Sequence, residues 1–338
     1  MAETRWRPLA LADAPRLAEM LSECAVADGV PGTGPDTDDV REALSAPGID
    51  LGAGSTSLWC GGEPVAHATV RAREHGSPAH RMTLDLAVRP AHRTPSLVHR
   101  LLDRCRTAAL RRHGELYPGV PLELHARTHQ GQVWLAEALD ATGYRRVRAY
   151  WSMRAGLGAP GKPPVPASTP DGTTIVPFDD TFDGALLELR NEVFADNWGS
   201  VPMTPGTWRR SVTGSPYFRP ASSFLLLSDH GREILCYLLC TELADGRKDR
   251  ELYLANAGTR TGLHGKGLYR AVFTHALARA RADGYHRAVL DVDATNPMAA
   301  GGFYDRMGFL RYGTWTTHVL PVTAAPPGGG DPSAPPLG

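Results

Sequence analysis

One order of predicted elements occurs twice in this chain, and that repetition constrains the fold more than any single motif. Residues 3–155 and 173–322 each read β-α-α-β-β-β-loop-α-β-α-β. The offset is roughly 165–170 residues, the mark of an internal duplication. A chain of 338 residues is also too long for one ordinary core and suits two domains of about 150 residues each. The expected layout is a first domain over 1–155, a Pro/Gly/Ala-rich linker over 156–172 (GLGAPGKPPVPASTPDG), a second domain over 173–322, and a disordered Pro/Gly-rich tail over 323–338. In each half the helices gather around a mostly antiparallel mixed sheet, so the fold class is α+β.

Composition removes several function classes. Apolar residues make up 42%, charged residues 21%, and the formal net charge is zero, as in a globular protein without a nucleic-acid or anionic-membrane footprint. No run of 18 apolar residues suggests a membrane span, and the N-terminal MAETRWRPLALADAP has no signal-peptide core. Five scattered cysteines without a CxxC pair read as buried free thiols in a reducing cytoplasm. The thirteen histidines show no HExxH motif, so no metal is expected.

The stretch Leu252 to Leu277, LYLANAGTRTGLHGKGLYRAVFTHAL, carries the chemistry. An apolar strand leads into a loop with Gly262, Gly265 and Gly267. A helix follows with Leu268, Val272, Phe273 and Ala276 at helical spacing. Such a turn aims backbone N–H groups at one point, and the helix N-terminus adds partial positive charge, so an anion such as a pyrophosphate fits there. A Walker loop is excluded because no Lys-Ser/Thr follows, and a dinucleotide fold lacks its GxGxxG. The bland alternative is an ordinary strand-to-helix turn.

Element order, TGLHGKGL opening a helix, and NPMAAGGFYDRMGF after a strand resemble the GNAT superfamily of acyl-CoA-dependent N-acyltransferases. The doubled arrangement is similar to the tandem-GNAT proteins of actinobacteria. The resemblance covers nearly all of 3–322 and is stronger in the second half. It implies acetyl-CoA or another acyl-CoA as co-substrate, without a metal. The family signature Gln/Arg-x-x-Gly-x-Gly/Ala is set on His264, Gly265, Lys266, Gly267, Leu268 and Tyr269, with His264 and Tyr269 as departures from it. Ala257, Gly258 and Thr259 then lie along the co-substrate, with the carbonyl donor at Ala257 or Gly258. Asn296 would bond the pantetheine arm or a helix start, and Tyr304 would protonate the leaving thiolate. Against this, Tyr304 could be a packing tyrosine. Glu251 is the candidate base, with Asp291 and Asp293 as others; an exposed strand-end role for Glu251 stands equally. In RNEVFADNWGS, the family's acceptor wall makes Asn197 and Trp198 candidate substrate contacts, beside Asn191 and Glu192; a helix cap with a packed tryptophan stands beside that. Arg260 would contact a coenzyme A phosphate or only solvent.

Aligned by the same anchors, the first half holds Arg93-Thr94-Pro95-Ser96-Leu97 at the loop, Leu139 at the tyrosine place and Gly131 at the asparagine place. Proline offers no N–H. The first domain therefore reads as a degenerate copy. The expectation is a cytoplasmic acyltransferase, monomer or homodimer, that modifies a primary amine of a small molecule in natural-product tailoring or self-resistance. Attack is direct, in a ternary complex. A peptide or protein N-terminal acetyltransferase and a silent acyl-CoA sensor or scaffold remain alternatives.

Overall fold

The computed structural model describes residues 3–31, 34–73, 76, 78–158, 168–228, 231, 233–242 and 250–322. The tail and the centre of the expected linker lie outside them. In chain order the elements are β1 (Thr4–Arg7), α1 (Ala14–Ala27), α2 (Thr37–Leu44), α3 (Leu51–Gly54), β2 (Ser55–Cys60), β3 (Glu63–Ala72), β4 (His80–Val88), α4 (Pro95–Leu116), β5 (Leu122–His129), α5 (Val133–Ala141) and β6 (Arg145–Gly156). There follow β7 (Thr173–Pro177), α6 (Asp183–Val193), α7 (Pro205–Trp208), β8 (Phe224–Ser228), β9 (Ile234–Thr241), β10 (Glu251–Thr259), α8 (Leu268–Ala282), β11 (Arg287–Asp293), α9 (Pro297–Ala300), α10 (Phe303–Arg306) and β12 (Leu310–Val322).

The described residues form two compact units, 3–149 with 313–322, and 150–312. This division differs from the sequence-derived cut in one respect. Each unit takes its last strand from the other half of the sequence. The first has the strand order β1-β2-β3-β4-β5-β12, and the second β6-β11-β10-β9-β8-β7. Trp315–Val322 of β12 pairs antiparallel with β5, and Tyr150–Gly156 of β6 pairs antiparallel with β11. Each of β6 and β12 supplies a long antiparallel ladder where it lies. In both units the pairing is antiparallel except for one parallel pair, β4–β5 in the first and β10–β11 in the second.

Both units bury one face of the sheet under the helix that follows the parallel pair's first strand. In the first, Val98, Leu101, Leu102, Cys105 and Ala109 of α4 pack on Val70, Leu84 and Leu124. In the second, Val272, Phe273, Ala276 and Leu277 of α8 pack on Leu238, Leu252 and Leu290. The opposite face of the second sheet carries α6, with Leu186 and Leu189 against Leu225, Tyr237 and Leu239. The helix expected over 297–307 is broken in two, because Gly302 takes φ 67° and a left-handed residue ends the helical run. The helix expected over 204–212 begins as predicted, with Thr204 Oγ1 capping Thr207 N–H, but after Trp208 it widens into a π-helical turn over Arg209–Thr213. Four cysteines are buried and Cys60 is half-buried, all as free thiols. No helix among the described residues is long and apolar enough to cross a membrane.

Candidate active site

The site grows from a fork in the second sheet. The β10–β11 ladder pairs Glu251 with Arg287, Leu252 with Ala288 and Tyr253 with Val289, then stops, although β10 runs on to Thr259 and β11 to Asp293. At the same level the β10–β9 register shifts between Leu254 and Asn256, leaving exposed Ala255 as an extra residue. Such a bulge reverses the alternation of faces. Leu254 and Ala257 accordingly both face the α8 core. Tyr253 and, past the bulge, Asn256 and Gly258 face the α6 side. Asn256 accepts the Tyr237 hydroxyl at 2.7 Å. A Cβ on Gly258 would lie 2.7 Å from Val193 Cγ2 and 2.8 Å from Tyr237 Cε1.

Backbone direction follows from the same pairing. Arg260 N–H donates to the Leu235 carbonyl at 2.9 Å, so in this antiparallel ladder Asn256 and Gly258 also address β9. Ala257 and Thr259 turn their N–H groups toward the open side of the fork. Of the two expected carbonyl donors, only Ala257 has this direction; Gly258 is a glycine because Val193 and Tyr237 leave no room for a side chain.

Beyond the fork, Gly262, Gly265 and Gly267 take φ of 81°, 80° and 78°. Nothing lies within 4 Å of a Cβ built on any of them. The left-handed backbone selects glycine at all three. Gly267 is the N-cap of α8, and no side chain caps the helix, so its first N–H groups are left for an outside acceptor. His264 and Lys266 are exposed on the loop. Leu268 is buried in the core and can contribute only its backbone N–H. Tyr269 is not a loop residue at all. It is the second residue of α8, with its ring 5.4 Å from Phe273 and 5.5 Å from Phe303. The last place of the signature thus lies inside the helix that Gly267 opens.

Tyr304, on α10, is buried in the same α8-side layer that Ala257 packs against. Its ring lies 5.3 Å from Phe303 and 5.8 Å from Phe273. Its hydroxyl makes a long 3.5 Å contact with that of Tyr269. Burial raises the pKa of Tyr304, a rise that the Tyr269 hydroxyl opposes. Tyr269 is raised further, by burial and then by Tyr304. Asn296 caps α9, its side chain accepting Met298 N–H at 2.9 Å, which is the helix-start role.

Several charged candidates have structural partners. Glu251 accepts from Arg287 Nη1 at 2.8 Å. Asp293 accepts from Thr295 N and Oγ1 at 2.8 and 2.7 Å, closing the turn before α9. Arg260 meets neither bare solvent nor an open phosphate place: it pairs with Glu192 and Glu233, each at 3.0 Å, and Glu192 also accepts Thr261 N–H. This tie anchors the end of β10 to α6. Asn191 bonds both backbone groups of Met203. Asn197 and Trp198 are exposed on the loop after α6. Two residues escaped sequence reasoning. Asn256 is hidden by the bulge, which defeats simple alternation. Ser152, whose hydroxyl donates to Asp291 at 2.5 Å, is hidden because β6 belongs to the first half of the sequence.

The first unit has a fork of its own, closed by its own chain. Its parallel ladder runs from His80 with Leu122 to Leu84 with Ala126 and stops short of Val88 and His129. Arg93 donates to the Val88 carbonyl at 3.0 Å and to both Asp28 oxygens at 2.6 and 3.0 Å. Its guanidinium lies 4.6 Å from the Trp134 ring centre, and Trp134 Nε1 reaches Asp28 at 3.3 Å. Gly131 abuts the Asp28 carbonyl so closely that a Cβ would overlap it. Thr94 Oγ1 caps α4 at Leu97 N–H, Pro95 opens the helix, and Leu139 is fully buried core.

Residues 185–309 match the acetyltransferase (GNAT) family. The chain is 30% identical over 276 residues to the mycothiol acetyltransferase of Salinispora arenicola, covering 76% of this chain and 81% of that protein. It is 30% identical over 312 residues to that of Streptomyces avermitilis, covering 87% of each. Among solved structures, a GCN5-related N-acetyltransferase from Sphaerobacter thermophilus superposes with a TM-score of 0.77 at 22% identity, over 94% of this chain and 95% of that one. A tandem GNAT protein from the clavulanic acid biosynthesis pathway gives 0.72 at 16% identity, over 96% and 100%.

Proposed function

Because the chain belongs to the GNAT family of acetyltransferases, which use acetyl-CoA as co-substrate, we propose that its second unit transfers an acetyl group from acetyl-CoA to a primary amine of a small molecule. The observation that carries this is the pairing of an open fork with an uncapped helix terminus: β10 and β11 part after Tyr253, and α8 starts at Gly267 without a side-chain cap. The co-substrate supplies an acyl group activated as a thioester. The N–H groups of Gly265 to Leu268 would hold its diphosphate, and the fork from Leu254 to Thr259 would hold its arm. Ala257 N–H is directed to receive the charge that develops on the carbonyl oxygen. As the amine nitrogen bonds to the carbonyl carbon and the carbon–sulfur bond breaks, Tyr304 hands its proton to the departing sulfur. The raised pKa keeps Tyr304 protonated across the working range, as an acid requires. Glu251, paired to Arg287, would receive the amine proton through water. Asn197 and Trp198 would form one wall for the acceptor.

A small-molecule acceptor is favoured because the full-length relatives are named for mycothiol, not for a protein. Natural-product tailoring or self-resistance fits the same chemistry. The test is acetyl-CoA with a panel of amines, amino sugars, amino-acid derivatives and peptides, read as free thiol released and as acetylated product by mass. Transfer to small amines is expected. Transfer only to peptide N-termini would replace the acceptor class, and tight coenzyme A binding without any transfer would favour the silent sensor.

A further inference from the structure

Asp291 stands on β11, a strand with neighbours on both sides, and its carboxylate is exposed. It accepts from Ser152 Oγ at 2.5 Å and from the Tyr253 hydroxyl at 3.3 Å. Among the described residues no Lys or Arg pairs with it. Two cations on its own strand and the paired β6 have other partners: Arg287 holds Glu251 at 2.8 Å, and Arg154 lies 5.1 Å from the Tyr312 ring centre. Two hydroxyl donors fix the orientation of the carboxylate without neutralising its charge. A solvated surface carboxylate needs no such orientation.

Its position adds direction to this chemistry. Tyr253 and Val289 form the last rung of the β10–β11 ladder, so the Tyr253–Asp291 bond sits where the fork opens. Leu290 and Val292 pack into the α8 core beside Tyr304. Alternation therefore sets Asp291 on the other face of the sheet, the face that α6 covers farther along and to which the bulge brings Asn256. A nucleophile arriving there meets the reacting carbon from the side away from Tyr304. Entry and departure then do not compete for the same space.

We propose that Asp291, oriented by Ser152 and Tyr253, is the acceptor-recognition residue, and that the acceptor docks there as an ammonium ion. This rests on the acetyltransferase reading above and adds to it the charge state in which the amine is selected. The class of acceptor is an amine of ordinary aliphatic basicity, cationic near neutral pH. Weakly basic amines that enter uncharged gain nothing from the site.

The experiment compares Asp291→Asn with the unaltered chain, using an alkyl amine and an alkoxyamine of low basicity as acceptors. KM for the alkyl amine is expected to rise about ten- to a hundredfold, the range for losing a charged hydrogen bond. KM for the alkoxyamine and the affinity for coenzyme A are expected to stay within about twofold. Ser152→Ala should give the same selective rise, smaller in size. Unaltered coenzyme A affinity by calorimetry shows that the variant is folded. An unchanged KM for the alkyl amine in a variant that still transfers would overturn the assignment of Asp291 alone. Equal losses with both amines would reduce Asp291 to a structural role and overturn it too. No transfer by the unaltered chain to either amine would remove the acetyltransferase reading and this inference with it.

Discussion

The two forks of this molecule start from one plan and end as opposites. In the second unit, three left-handed glycines lead to a helix whose first N–H groups have no side-chain cap. In the first, Thr94 caps the corresponding helix, Pro95 removes a donor, and the Arg93–Asp28 pair takes the space beside the strand end. In the first fork the Val88 carbonyl and the Leu97 N–H are taken up by Arg93 and Thr94. A buried ion pair with bidentate geometry is costly to break from one side, by about 3–5 kcal/mol, so the first fork is fixed as a structural joint. The lesson is that a closed fork differs from an open one in more than its missing glycines. Its polar backbone has side-chain partners, Arg93 on the Val88 carbonyl and Thr94 on Leu97 N–H, with Asp28 holding Arg93 in place.

The sharpest way to break this contrast is at Tyr304. Tyr304→Phe keeps the ring packing and removes the proton, so kcat should fall about 10²–10⁴-fold with coenzyme A affinity retained. If kcat stays within about threefold, the acid lies elsewhere. Next comes Gly267→Pro, which imposes a negative φ and deletes an N–H. Coenzyme A affinity should drop by at least about tenfold, roughly 1.4 kcal/mol, while calorimetry on the unaltered chain finds one site. Two equal sites would mean that the Arg93–Asp28 joint opens to ligand.

The smallest effect separates the units by acid stability. Burial lowers the pKa of His67 to about 4 and also lowers His80, His125, His129 and His318, all in the first unit; among the described residues of the second, only His275 is shifted so. A histidine whose folded pKa lies below its unfolded value of about 6.5 favours the folded state less as pH falls through that interval, because the unfolded chain takes up the proton first. Hydrogen exchange should therefore show the first unit losing protection between about pH 6.5 and 4, before the second. Simultaneous loss would show that the units unfold as one.

Much of this was legible in the residues, for local reasons. Glycine spacing, the apolar period of α8 and the Asn296–Tyr304 segment are each encoded within a few positions. The alternation of β10 was legible only to Leu254, because the extra residue at Ala255 is set by pairing with β9. Where the loop ends and the helix begins was less legible, because only backbone dihedrals separate Gly262, Gly265 and Gly267 from helical Tyr269. Arg260 was open to a phosphate role because its partners Glu192 and Glu233 are distant or unremarkable in sequence. The exchange of β6 and β12 had no local signal, since either strand presents a pattern that suits either sheet.

That exchange sets an order of events during synthesis. The ribosome delivers residues 3–149 long before 313–322, which pair with β5 in the same unit. Until 313–322 are made, β5 is a bare edge, open to pairing with another chain. The second unit has no such wait, because its borrowed strand at 150–156 is already made when β11 emerges. The half with the open fork can thus close its sheet first, and the half that carries the Arg93–Asp28 joint waits for 313–322, so removing those residues damages a part of the molecule that was made much earlier.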